Sequence, residues 1–513
     1  MLVHIFGAKC IGINAVKVTV EVDITPGIGI HLCGLGDAAV KESLLRTVTA
    51  LQSMGFHIPG KKIVINLAPA DLHKSGSGYD MPIAVGVVAA SAQRDLPLIS
   101  STLMMGELGL NGSIRAIKGG LPIADFAQNN GFTHCILPHE SAMEASSLDG
   151  IKVYGVNTLE EVFEILEGRE DVEKYLVSGK ASLKSRANVT PEVDFADIIG
   201  QSAAKRAMEI AAAGGHNLIM IGAPGSGKSS LAKALAGILP PMNREEAFMC
   251  SKIYSIAGRG NSSGGLMWRR PFRSPHYSAP LAALIGGGSG SENIIPGEVT
   301  LAHLGVLFLD EFNLMPKSVM EALRAPLEDG KVLISRLRAK VEYPADFTLV
   351  AAANPCPCGY YGEGDRCTCT PSQRRQFLGK LSGPIMDRMD LQVLVRPISS
   401  ALLRNRKPEE KSESIARRVL ECRKRQFERF EGSGISSNAA MTNRDIARFC
   451  PLDAESEDFM SSLLERMSLS MRAYYRIIRV ARTIADMEGS EKIKAEHLME
   501  AAGYRILDKN LID

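Results

Sequence analysis

The rhythm of apolar and polar residues changes three times along this chain. From Val16 to Thr25 the run VKVTVEVDIT alternates with a period of two, as a strand with one buried face does, and KKIVINLAP from Lys61 repeats the pattern. Between them, DAAVKESLLRTVTALQSMGF carries its apolar residues at helical spacing, so residues 1–170 are expected to form one layered α+β domain. Over 171–193 the periodicity gives way to charge, Ser, Gly and Pro, the composition of a linker. From Asp194 to residue 398 unbroken apolar runs such as NLIMIG and GVLFLD alternate with helical stretches, which predicts an α/β core with a parallel sheet covered on both faces. Residues 399–513 are patterned almost entirely as amphipathic helix, notably IARRVLECRKRQFERF and MRAYYRIIRVARTIADM, and are expected to form an all-α third unit.

Composition adds limits. A 45% hydrophobic chain of 513 residues can build several cores, and 59 Lys and Arg against 57 Asp and Glu leave a net charge of +2. Any affinity for nucleic acid must therefore come from local patches. No apolar run is long enough to span a bilayer and the first residues lack the pattern of a signal peptide, so a cytoplasmic protein with no membrane partner is expected. Cys10, Cys33, Cys135, Cys250, Cys422 and Cys450 stand alone in sequence and suit reduced thiols.

The strongest local signal is GAPGSGKS, formed by Gly222, Ala223, Pro224, Gly225, Ser226, Gly227, Lys228 and Ser229, with Ser230 next on the helix. It follows an apolar strand and precedes the helical SSLAKALAGIL, the context in which small residues let backbone N–H groups curl around phosphate. Lys228 supplies a positive charge and the Ser229 hydroxyl a magnesium ligand. A second apolar strand, VLFLDE, ends in Asp310 for the magnesium shell and Glu311 to polarise the attacking water. A third, FTLVAAAN, delivers Asn354, whose amide can bond both that water and the terminal phosphate. ATP and magnesium are the expected cofactors.

The succession GAPGSGKS, VLFLDE, AAANP, GPIMDRMDL and SMRAYYR resembles an AAA+ ATPase of the magnesium-chelatase-like branch, and nearly the whole chain is similar to the ComM/YifB family. The resemblance implies an arginine finger at Arg388, acting on a neighbouring subunit's nucleotide within a homo-oligomeric, hexameric ring. It makes Arg472 a second sensor arginine, although a solvated helix face would also carry an Arg there. DFADIIGQ, Asp194 to Gln201, resembles the segment lining the adenine pocket, and its apolar residues suit a core equally well. LAPADLHKSGSGYDMPIAVGVVAA resembles the proteolytic domain of Lon-type proteases, but Asp80 falls where that family carries its nucleophilic serine, and GGLPIADFA lacks its lysine. A carboxylate cannot replace a hydroxyl activated by an amine, so a catalytically silent module is expected.

What such a motor would act on must be read elsewhere. Trp268, Arg269, Arg270 and Arg273, with Phe272 among them, combine charge with stacking faces, which suits either a nucleic-acid channel or a packed insert with a basic edge. VLISRLRAKVEY suggests a hairpin presenting Arg336, Arg338 and Lys340 near its tip, and in the resembled family hairpins here project into the ring's pore. The leading expectation is a motor translocating on branched or single-stranded DNA, in branch migration or as a helicase during recombination or natural transformation. The rival is a chelatase-type or chaperone-like motor remodelling a protein partner. Finally, Cys356, Cys358, Cys367 and Cys369 form C-x-C-x8-C-x-C, enough soft ligands for a structural zinc, or else a loop of free or redox-labile thiols. As a zinc site, it is expected to steady the path from Asn354 to Arg388.

Overall fold

The period-two runs become the two long strands of the first domain. In the computed structural model, which describes residues 2–34, 36–177, 192–261, 264–287, 294–336, 339–362, 366–381, 383–398, 408–467 and 469–505, β1 (Val3–Ile11) and β2 (Asn14–Thr25) pair as an antiparallel hairpin. Val18, Val20 and Val22 are fully buried while the intervening Lys17, Thr19 and Glu21 are not, which is the alternation a one-sided sheet requires. With β3 (Ile30–Cys33), β4 (Lys62–Ala68), β5 (Thr102–Met104), β6 (His134–Pro138) and β7 (Lys152–Val156) they make a seven-stranded sheet in the order β3-β4-β2-β1-β5-β6-β7. Helix α1 (Ala38–Ser53) begins at Asp37, whose carboxylate accepts the Val40 N–H at 2.9 Å. Helix α2 (Asp80–Ala90) is apolar on all sides and almost wholly buried.

This domain runs further than the composition of 171–193 suggests. Glu170–Tyr175 forms a 3₁₀ helix, and Val172, Tyr175, Leu176 and Val177 pack on the first core. A single short turn surrounded by charge has too few apolar positions to register as a period. Residues 178–191 of the expected linker lie outside the described residues.

The second sheet is all parallel: β8 (Leu218–Gly222), β9 (Phe272–Arg273), β10 (Val306–Leu309), β13 (Thr348–Ala353) and β14 (Leu391–Val395), in the order β9-β10-β13-β8-β14. Between β10 and β13 the chain projects a separate hairpin of β11 (Lys331–Arg336) and β12 (Ala339–Pro344). Successive strand residues serve different cores: Leu218, Met220, Phe308 and Val350 face one side, Ile219, Ile221, Leu307 and Leu349 the other. The C-terminal segment is helical as expected. It is not packed apart from the sheet, however, since Val419 and Cys422 from Ser412–Arg429, and Ile477, Ala481 and Ile484 from Met471–Glu488, share the core of the first face.

The two domains also share a core. Met242, Cys250 and Ala247, the last two on helix Arg244–Ile256, join Leu266 in the first domain's apolar cluster. The β1–β2 turn touches the β11–β12 hairpin: a Cβ on Gly12 would lie 3.1 Å from Val341 Cγ1. Among the described residues no helix is long and apolar enough to cross a membrane.

Candidate nucleotide-binding site

The GAPGSGKS segment is a loop between β8 and helix Lys228–Ile238. Its glycines are required by geometry: Gly225 and Gly227 have φ of +75° and +92°, and a Cβ on Gly222 would lie 2.2 Å from the Val395 carbonyl oxygen. The Lys228 ammonium is buried under this loop, donating to the Gly222 and Ala223 carbonyls at 2.7 and 2.8 Å and reaching Asn354 Oδ1 at 3.5 Å. Burial pulls its pKa down, while Asp310 and Glu311 act to raise it. The Ser229 hydroxyl donates to Asp310 Oδ2 at 3.1 Å, and Ser230 beside it is exposed. Glu311, at φ +49°, turns the chain sharply after β10, and its N–H is held by Asp310 Oδ1 at 2.9 Å. Asn354 follows β13 directly. All these groups therefore meet at the C-terminal edge of the parallel sheet, where open α/β sheets bind ligands. Ser229 and Asp310 offer paired hard oxygens, a donor set that suits magnesium.

The Asp194–Gln201 segment supports this loop from outside it. Gln201, itself at φ +58°, donates through Nε2 to the Ser226 carbonyl at 3.3 Å and the Arg396 carbonyl at 2.5 Å, bracing the phosphate loop against the end of β14. The Gly200 N–H donates to Glu409 at 2.7 Å and the Phe195 N–H to Ser412 Oγ at 2.8 Å, tying the Asp194–Gln201 segment to the start of the helical region. Phe195 and Ile198 themselves are core.

Arg388 and Arg472 lie at the other edge of the sheet. Arg388 is largely buried, donates to the Pro384 carbonyl at 2.7 Å and pairs with Glu328. Its carbonyl accepts from Asn217, the residue before β8, at 3.3 Å. The five residues of β8, at roughly 3.3 Å each, separate it from the loop that ends the same strand. Arg472 is exposed and stands 3.6 Å from Asp387. The two arginines line one cleft of about 1250 Å³ with Asp390, Arg476 and Arg479, so Arg472 belongs with Arg388 and not with its own phosphate loop. Asp390 accepts from the Asn217 N–H at 3.2 Å and pairs with Arg476 and His216. It is buried, yet Arg476 and His216 hold it ionised far below the usual carboxylate range.

The basic and aromatic residues expected to form one groove are dispersed by packing. Trp268 packs on the first domain's core. Arg270 donates to the Pro240 and Leu304 carbonyls at 2.6 and 2.8 Å and pairs with Glu246. Arg273 makes a two-pronged pair with Glu298 at 2.6 and 2.8 Å, Phe272 stacks on Phe308, and Arg269 alone of the four residues predicted to meet DNA here is exposed. Guanidinium groups satisfied by a fixed carboxylate act as structural staples, so the pairs of Arg270 and Arg273 and the packing of Trp268 suit the alternative of a packed insert with a basic edge. The hairpin of the second candidate region is formed: Arg336 pairs with Ala339 in its ladder, Lys340 is exposed, and Arg338 lies outside the described residues.

The four clustered cysteines converge. Their sulfurs all lie within 4.8 Å of one another, with Cys356–Cys358, Cys358–Cys367 and Cys356–Cys367 at 3.3, 3.7 and 3.8 Å. A tetrahedron with metal–sulfur bonds of about 2.3 Å sets its sulfurs roughly 3.8 Å apart, so the cluster fits zinc. The loop packs on its own phosphate loop, where a Cβ on Gly359 would meet Pro224 Cδ at 2.7 Å. Asp80 is fully buried, with its carboxylate bonded by Arg46 at 2.8 and 3.1 Å and by the Leu108 N–H at 3.2 Å, as befits a structural anchor.

Three family models match the chain: magnesium chelatase, subunit ChlI, over residues 194–403; subunit ChlI of Mg-chelatase over 20–141; and the ChlI C-terminal region over 409–505. The uncharacterized protein YifB of Escherichia coli is 41% identical over 505 residues, covering 98% of this chain and 96% of its own. The competence protein ComM of Haemophilus influenzae is 40% identical, with coverage of 99% and 98%. The magnesium-chelatase 38 kDa subunit of Rhodobacter capsulatus is 25% identical over 62% of this chain and 88% of its own.

Proposed function

Because the chain belongs to the magnesium-chelatase-like family of AAA+ proteins, we propose that it is an ATPase that works as a hexameric ring and uses ATP to move DNA, in branch migration or unwinding. The observation that carries the ring is the separation of its two halves of an ATPase site. The phosphate loop, Asp310, Glu311 and Asn354 share one edge of the sheet, and Arg388 and Arg472 share a cleft at the other. A guanidinium so placed stabilises phosphoryl transfer only on a neighbour's nucleotide, which makes hydrolysis conditional on assembly. Within one subunit Lys228 neutralises phosphate charge, Glu311 orients and polarises the attacking water, and Asn354 reads the terminal phosphate. Ser229 and Asp310 would hold the magnesium ion, which supplies further charge neutralisation when bound.

DNA as the substrate is supported by the β11–β12 hairpin with Lys331, Arg336 and Lys340, and by the relative named a competence protein. In this reading the first domain is a non-proteolytic module, with Asp80 already engaged by Arg46. The four cysteines are read as a structural zinc site. A second reading, a motor that remodels a protein partner in the manner of a chelatase, is favoured by the ChlI models and the Rhodobacter relative.

Purified protein with ATP and magnesium, given a labelled four-way or three-strand DNA junction, is expected to move the junction and to hydrolyse ATP faster with DNA present. Lys228→Ala is the inactive control. Rings that form but show neither effect would sink the DNA reading and leave the protein-remodelling one.

A further inference from the structure

The cysteine loop and the phosphate loop are joined twice, once by packing and once along the chain. Cys356 and Cys358 are linked by a tight turn in which the Gly359 N–H donates to the Cys356 carbonyl at 3.0 Å, with Gly359 in the left-handed region at φ +85°. Gly359 is buried, and a Cβ there would sit 2.7 Å from Pro224 Cδ and 3.0 Å from Pro224 Cγ, so backbone and ring are pressed together with no room for a methyl group. Pro224 follows Ala223, whose carbonyl holds the Lys228 ammonium at 2.8 Å. The second link runs through Asn354, two residues before Cys356 and 3.5 Å from the same ammonium.

These two links give a change in the thiol cluster a path to the groups around the Lys228 ammonium. Three of the sulfur pairs stand 3.3–3.8 Å apart, close to the spacing of a tetrahedral zinc site, and zinc bonds would replace the weak thiol contacts that join Cys356, Cys358 and Cys367. Those bonds would fix the Cys356–Gly359 turn more firmly than thiol contacts do. Resting on the zinc reading above, we infer that the four-cysteine site is a coupled part of the nucleotide site: bound zinc holds the Gly359 turn against Pro224 and fixes Asn354, so that zinc occupancy sets nucleotide affinity. The coupling differs from a staple between sensor and finger because it acts on nucleotide binding, before any neighbour is needed.

Thermodynamic linkage ties the two affinities together. If zinc tightens nucleotide binding by some factor, nucleotide must tighten zinc binding by the same factor. In the full-length protein, zinc per chain is measured by atomic absorption. The affinity for a fluorescent ADP is then measured before and after removal of zinc with a chelator and after adding zinc back. The affinity for zinc is measured by chelator competition with and without ADP. The expected result is one zinc per chain, a roughly tenfold weaker ADP affinity without it, restored by zinc alone, and the same factor on zinc affinity when ADP is present. One zinc per chain with an unchanged ADP affinity after its removal would overturn the coupling and leave the metal site standing. Absence of bound zinc overturns the metal reading and the coupling with it. Should stripping the metal unfold the loop, Gly359→Ala serves in its place, since it keeps all four ligands but forces a methyl against Pro224. It is expected to retain zinc and to lose ADP affinity, and retained zinc with unchanged ADP affinity overturns the inference.

Discussion

His303 shows how much a single side chain's surroundings decide. It is 8% exposed, and its Nδ1 accepts the Asp346 N–H at 3.1 Å, so the folded protein holds the ring neutral. Burial pushes its pKa down from 6.5 to about 4. Below pH 6.5 the unfolded chain takes up a proton that folded His303 refuses, so its contribution to stability is lost as pH falls from 6.5 toward 4 and does not change further below that. The slope over this window is about 1.4 kcal/mol per pH unit for the one group. Melting temperature measured against pH is expected to fall less steeply over this window in His303→Gln, which keeps an acceptor but no titratable ring. Equal slopes would show that other groups carry the acid sensitivity. Nothing in the sequence hints at this role, because a lone histidine in AHLG has no motif. Lys228, Ser229 and Asp310 are legible for the opposite reason: phosphate binding needs consecutive backbone groups, so the residues of a loop built for it are consecutive too, and the acid proposed to hold magnesium sits at the end of an unbroken apolar strand.

At the scale of elements, the long strands and amphipathic helices follow the periodicity, because one buried face imposes one period. Short elements do not: Glu170–Tyr175 and the two-residue β9 offer no repeat to detect. The β11–β12 hairpin is the element on which the DNA reading depends most. If it tracks a DNA backbone, replacing Arg336, Arg338 and Lys340 together by alanine should weaken DNA binding and make it less sensitive to salt. Each phosphate no longer neutralised by the protein lowers the slope of log affinity against log salt by roughly 0.7 to 0.9. Titrations at several salt concentrations measure this, with ATP affinity expected to be unchanged. A salt slope equal to wild type would remove the hairpin from the DNA path. The region around Trp268 illustrates the converse. Its composition suits a nucleic-acid groove, but Glu246 and Glu298 lie 24 and 25 positions away in sequence and neutralise Arg270 and Arg273 in space.

For the whole molecule, the separation of Lys228 from Arg388 across the sheet gives a test that no single-subunit mechanism passes. Lys228→Ala and Arg388→Ala are each expected to be inactive, and rings assembled from a mixture of the two should regain ATPase activity. At some interfaces an intact phosphate loop then meets an intact arginine. Mixed rings that stay inactive would mean that Arg388 acts elsewhere. The family resemblance, the phosphate loop with its two acids, the parallel sheet, the helical C-terminal region and the four clustered thiols were all legible in the order of residues alone. Each of these is written in residues near one another in the chain, or in a period that one buried face enforces. Folding in three dimensions was needed to show that Arg472 sides with Arg388, that Arg270 and Arg273 are already paired, that the helical region shares the sheet's core, and that Gly359 of the cysteine loop lies against Pro224. Those facts depend on groups brought together from distant parts of the chain. Their energies come from charge pairing and close packing, which no local pattern records.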